Sequence, residues 1–288
     1  DGNKCDWAKA YATGVRCAYL RDCFSTANDP TYELEAPRCR VAGVKPGPYF
    51  FPDQRVNAVP MDKQIAAFAA NVKKYEQPND LPAAFDVEFS QGTRGTGRTR
   101  VQLLALIVEI ALKLRTALGY WPVLYSSKRV VDGEDTDALD ADGQRIVDLS
   151  PLKNCPFWAS RYIANYHVAP IGDTAAERAY LDKLPLPPIP AYLGDAKNVW
   201  MRQTQGDSIG LAGFTHTVDI DIFYMMRQGE TGERVKWVQQ RLGMVEGTPG
   251  VFDDVMTVAL RDYQASESGL TVDGVIGLWT WCRLAKRP

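Results

Sequence analysis

Two acidic residues two positions apart, Asp86 and Glu88, stand inside the apolar run LPAAFDVEF at residues 81–89. In an extended chain, side chains two apart share a face, so both carboxylates project together while Val87 points away. Like charge and partial desolvation raise the proton affinity of one member, leaving one neutral acid and one anion. That combination suits glycosidic cleavage: the acid protonates the leaving oxygen and the anion supports positive charge at the anomeric carbon. The spacing recurs at Asp219 and Asp221 in TVDIDIFY. In a closed barrel the last strand neighbours the first, which brings one of this second pair into the same cleft. The plainer alternatives are solvated carboxylates on an edge strand, or ion pairs with Arg94 and Arg98. For the second pair the alternative is a turn or salt-bridge aspartate.

The elements that must position these groups alternate in type. Residues 15–24, 43–51, 81–89, 121–126, 156–160, 199–204 and 218–224 read as strands. Residues 61–75 carry Ile65, Phe68, Ala69 and Val72 on one helical face. Residues 101–118 form a second, more apolar helix, in which Gln102, Glu109, Lys113 and Arg115 argue against a membrane span, since a charge near a bilayer centre costs about 3 kcal/mol. Strands alternating with helices over this length predict an α/β fold, a TIM-like barrel with its active site at one open end. Residues 131–148 hold seven acidic side chains but fail the calcium-loop spacing, and are expected to be a solvated loop. Residues 184–190 (LPLPPIP) are a proline-rich connector.

The chain has 288 residues, 45% of them hydrophobic, and a formal net charge of −2, which gives no basic stripe for nucleic acid. Its two histidines, His167 and His216, and six cysteines without a CxxC pair offer no zinc spacing, so no metal and no cofactor is expected. Cys17 and Cys23, in one strand about 20 Å apart, cannot bond to each other. Pairing of Cys5 with Cys39 stays open beside free buried thiols. Residues 1–10 carry no apolar run of a secretory leader, so synthesis in a cytoplasm is expected.

From residue 228 onward glycines punctuate three short helical segments, 233–242, 254–267 and 278–284, with an expected core of Val235, Val238, Leu242, Phe252, Val258, Leu260 and Trp279. The runs RVKWVQQRLG, GVFDDVMTVALRDYQ and GLTVDGVIGLWTWCRL resemble the peptidoglycan-binding module of cell-wall enzymes. The domains are therefore expected at 1–226 and 229–288.

The longer part resembles the glycoside hydrolase family 25 lysozymes, which are N-acetylmuramidases. The resemblance runs through Asp6-Trp7, AGVKPGPYFF, AAFDVE, PVLYSS, FWASRY, WMRQT and VDIDIF. It implies a flattened TIM-like α/β barrel that cleaves the β-1,4 bond between N-acetylmuramic acid and N-acetylglucosamine in bacterial peptidoglycan. It also implies Glu88 as general acid, Asp86 as charge support that positions the substrate's N-acetyl group, and Asp219 lining the cleft. Tyr49, Tyr125, Trp158 and Gln203 fall at positions that stack on or hydrogen-bond to sugar. The family pattern opens on a strand x-D-V-S, whereas this chain opens at Asp1-Gly2, so either the sequence starts after that strand or the strand and its aspartate are absent. The family's T-E-G reads Asp22-Cys23-Phe24 here. A phage or prophage endolysin is the leading reading. A glucosaminidase or chitinase-like enzyme, and a non-catalytic wall-binding protein on a decayed barrel, are its rivals.

Overall fold

The computed structural model describes residues 5–88, 96–127, 140, 146–160, 199–208, 212–215 and 218–287. Arg94, both histidines, the 184–190 connector and most of the acidic 131–148 stretch lie outside them. The strands are β1 (Cys17–Phe24), β2 (Ala27–Asn28), β3 (Lys45–Phe51), β4 (Ala84–Val87), β5 (Val123–Ser126), β6 (Phe157–Ser160), β7 (Val199–Ser208) and β8 (Val218–Phe223). The helices are α1 (Trp7–Ala12), α2 (Pro30–Val41), α3 (Met61–Tyr75), α4 (Arg100–Leu118), α5 (Glu233–Leu242), α6 (Asp254–Ser266) and α7 (Leu278–Ala285).

The sheet runs β2-β1-β3-β4-β5-β6-β7-β8. Its central pairings, from β1·β3 to β6·β7, are parallel, and the two edge pairings, β1·β2 and β7·β8, are antiparallel. Among the described residues β8 does not pair with β1, so the sheet is an open, curled barrel rather than a closed one. One ring contact measures the curl. Tyr19 on β1 stacks on Trp158 on β6 with centroids 4.6 Å apart, whereas four flat inter-strand steps span about 19 Å.

The outer face of the sheet is sealed by α3 and α4. Phe50, Phe85, Leu124 and Phe157 meet Ile65, Phe68, Leu104, Ile107, Ile110 and Leu114 in one buried cluster. Helix α4 starts at a capping box, Thr99 with Gln102, and stops at Gly119 in the left-handed conformation, so both of its ends are set locally. Among the described residues no helix is long and apolar enough to cross a membrane.

The three C-terminal helices do not sit apart on a tether. Their core of Val235, Val238, Phe252, Met256, Leu260, Trp281 and Leu284 is continuous with Leu81, Ala84, Val123, Trp200 and Met201 of the barrel. Trp200 lies 5.2 Å from Trp237 and 5.8 Å from Trp281, and Phe223 lies 5.3 Å from Trp281. Arg234 donates to the carbonyls of Tyr224 at 2.9 Å and Val199 at 3.3 Å, and Lys286 donates to the carbonyl of Gln77 at 2.9 Å. Lys45 at the start of β3 stands 3.7 Å over the Trp279 ring. These contacts gather at the N-terminal ends of the parallel strands, so the helical domain plugs the base of the barrel.

Two residues of the expected small-domain core are corrected: Val258 is 59% and Trp279 42% exposed. The helix phase gives the reason. Met256, Leu260 and Tyr263 form one inward stripe on α6, while on α7 Trp281 and Leu284 turn inward and Trp279 turns out. The buried amides of Gln239 and Gln264 tie the turns. Gln239 accepts from the Gly250 N–H at 2.8 Å and Gln264 from the Gly274 N–H at 2.9 Å.

Candidate active site

Parallel strands leave their C-terminal ends at one pole, and β4 delivers Asp86 and Glu88 there. Asp86 sits opposite Tyr125 on β5, which sits opposite Trp158 on β6, so three neighbouring strands present one inward row. Strand β8 runs the other way, and its first half therefore reaches the same pole: Asp221 lies opposite Gln203. Asp219 precedes it by two and shares its face.

The carboxylates feel one another. Asp86 is held well above the ordinary carboxylate range, first by burial and then by the charges of Glu88 and Asp219. Its Oδ1 is buried and has no hydrogen-bond partner among the described residues. Glu88, on the solvent side, is raised by burial, partly lowered by a hydrogen bond from Tyr125 and raised again by Asp219. The Tyr125 hydroxyl stands 3.3 Å from Glu88 Oε1 and also donates to Gln203 Oε1. A phenol has one proton for these two acceptors, so its hold on ionised Glu88 is partial. Asp221 opens to the cleft, yet the surrounding protein pushes its carboxyl up to about 8 against the hydrogen bond from Trp158.

The sequence-expected site residues Asp86, Glu88, Asp219, Tyr49, Tyr125, Trp158 and Gln203 thus share one compartment, though not in equal roles. Tyr49 is partly open, and its phenol is pushed up to about 12 by burial, with Arg21 opposing and Asp86 adding to the shift. Trp158 and Gln203 are the more covered members, at 8% and 2% exposed. One Trp158 face is covered by Tyr19 and its ring meets Tyr125 at 4.6 Å, while its Nε1 donates to Asp221 Oδ1 at 2.6 Å. Trp158 therefore orients a carboxylate, and Gln203 backs Tyr125. Arg98 donates to the Gln54 carbonyl at 2.8 Å rather than to Asp86 or Glu88.

Sequence reasoning missed Tyr19, Arg21 and the Trp158–Asp221 hydrogen bond. Alternation along β1 was the available signal, because Cys17, Tyr19 and Arg21 fall on the inward face. Among the described residues no group of His, Cys, Asp and Glu is disposed to hold a metal, and Cys5, Cys17, Cys23, Cys39, Cys155 and Cys282 are free thiols.

Residues 2–174 match the family described as glycosyl hydrolases family 25, and residues 231–284 match a peptidoglycan binding domain. No match was found among curated proteins. Among solved structures the chain is similar to the lysozyme of Streptomyces coelicolor, with TM-score 0.54 and 16% identity over 76% of this chain and 86% of that one. The muramidase of Trichobolus zukalii gives TM-score 0.52 at 18% identity, over 76% of this chain and 87% of that one. The family GH25 lysozyme of Aspergillus fumigatus gives 0.50 at 18% identity, over 76% and 88%. At these identities the likeness carries the fold.

Proposed function

This chain belongs to glycosyl hydrolases family 25, and from that premise we propose how its cleft cuts the bacterial wall. It is a glycoside hydrolase of the lysozyme type that carries a peptidoglycan-binding domain. The bond we assign to it is the β-1,4 link between N-acetylmuramic acid and N-acetylglucosamine. Glu88 is the general acid: it is the carboxyl nearer solvent, its proton affinity is raised, and Tyr125 steadies it. Its proton passes to the leaving glycosidic oxygen as the bond to the anomeric carbon breaks. Asp86 lies deeper, and its unpartnered Oδ1 suits the amide N–H of a 2-acetamido group. Holding that amide sets the acetamido oxygen against the anomeric carbon, where it supports the positive charge that develops. Asp219, whose field reaches Asp86, Glu88 and Asp221, keeps protons in the cleft above the ordinary carboxylate range.

The observation that carries this reading is the shared field of Asp86, Glu88 and Asp219 at one pole of the sheet. Glu88→Gln is expected to cut reducing-end release from purified peptidoglycan by about 100-fold or more, the usual worth of a general acid. Unchanged release would remove Glu88 from that role. Mass spectrometry of the products separates the rivals: reducing N-acetylglucosamine ends favour a glucosaminidase, and no release by the intact protein favours a wall-binding protein alone. A hydrolase joined to a wall-binding domain also fits a monomeric phage or prophage endolysin, made in the host cytoplasm and acting at the wall.

A further inference from the structure

We propose that Arg21 is a specificity-determining residue of the cleft, which selects the muramyl unit by pairing with a carboxylate on its O3 lactyl arm. The inference rests on the hydrolase reading above and adds to it a charge-reading side chain.

Arg21 belongs to the inward face of β1. Tyr19, two residues earlier, stacks on Trp158, whose indole N–H holds Asp221. Arg21 is the register partner of Tyr49, and the Tyr49 phenol feels the charges of Arg21, Asp86 and Asp219 alike. Arg21 thus stands two strands from Asp86 along the sheet, about 10 Å between backbones at the usual strand spacing.

The side chain is held in place and still open. Its Nε donates to Asp29 Oδ2 at 2.6 Å, and its side chain remains 52% exposed. Asp29 is itself fixed, because its Oδ1 caps α2 by accepting from the Thr31 N–H at 2.9 Å and the Thr31 hydroxyl at 2.6 Å. Nη1 and Nη2 of Arg21 have no hydrogen-bond partner among the described residues. A planar fork anchored through Nε presents its two remaining arms in the geometry a carboxylate accepts.

Charge decides the class of ligand. Whichever of Asp86, Glu88, Asp219 and Asp221 are ionised repel an anionic arm of the substrate, and the Arg21 guanidinium attracts it. Of the two alternating wall sugars, only the muramyl unit carries a lactyl arm. The carboxylate belongs to the arm itself in peptide-free glycan, and to the stem peptide where the arm is in amide linkage.

The test uses the full chain with three substrates: peptide-free glycan, the same glycan with its lactyl carboxyls amidated, and stem-bearing peptidoglycan. Arg21→Gln is expected to raise KM on peptide-free glycan about tenfold with kcat nearly unchanged, the scale of one charge-assisted contact. Arg21→Lys should recover part of that loss, and the amidated glycan should not distinguish Arg21→Gln from the unaltered protein. A KM rise on stem-bearing wall alone assigns the carboxylate to the stem, and a rise on peptide-free glycan alone assigns it to the lactyl arm. Equal KM for both proteins on all three substrates, or an equal rise on amidated and free glycan, overturns the proposal. If the unaltered protein cleaves none of the three, the hydrolase reading has failed instead.

Discussion

Asp221 shows how a single side chain couples the site to stability. Its pKa of about 8 lies above that of an unfolded aspartate, so the folded state binds the proton more tightly. The stability gained from that proton is complete below about pH 4 and is lost as pH rises through about 8. Asp221→Asn stays neutral throughout and can still accept from Trp158 through its amide oxygen. Its melting temperature should exceed that of the unaltered protein at pH 8 and fall less between pH 5 and pH 8. An unchanged slope would mean that Asp221 ionises freely in the folded cleft. Asp86 and Glu88 are pushed in the same direction, so the acidic wall as a whole favours lower pH.

At the scale of elements, β3 must let β1 close over the cleft floor. Gly47 pairs with Tyr19, and a Cβ there would stand 2.6 Å from the Leu81 Cβ and 2.7 Å from the Tyr19 ring. Gly47→Ala is therefore expected to destabilise by about 1–3 kcal/mol, the usual cost of overpacking. It should also disturb Tyr19 and hence the Trp158–Asp221 pair, so activity should fall further than stability alone explains. Urea titration and glycan cleavage on the same samples check both parts, and a fully stable, fully active variant would contradict them. Helix α2 shows where sequence reasoning stops. Asp29 before Pro30 is a legible helix start, but Pro37 inside the helix argues against its continuation, and tertiary packing of Tyr32, Ala36 and Cys39 overrides that signal.

At the scale of the whole molecule, one core serves both domains. Trp281 is fully buried and touches Trp200 and Phe223 at the barrel base. Trp281→Ala in the full chain should cost about 3–5 kcal/mol, typical of a deleted core aromatic. Because the cluster is shared, the hydrolytic cleft should lose heat resistance together with the helical domain. Residual activity on soluble glycan after heating measures this, and an undiminished hydrolase beside a loosened small domain would show that the domains melt independently. The wall-binding domain lies at the pole opposite the acids, so it holds the enzyme to the wall without covering the cleft.

The sequence alone determined the local matters: strand and helix periods, the same-face spacing of Asp86 with Glu88 and of Asp219 with Asp221, and the glycine-bounded helices from residue 233 onward. These follow from chain geometry within a few residues. The motifs also carried the likeness to family 25. Only the tertiary structure decided that the Trp158 ring is covered and its N–H turned to a carboxylate, because Tyr19, which covers it, is 139 positions away. It also decided that the sheet stays open between β8 and β1 among the described residues, and that the C-terminal helices plug the barrel. The placement of Arg21 beside Tyr49 was likewise decided there. Each of these depends on how far the sheet curls, and curl is a sum over every strand pairing that no short stretch of sequence encodes.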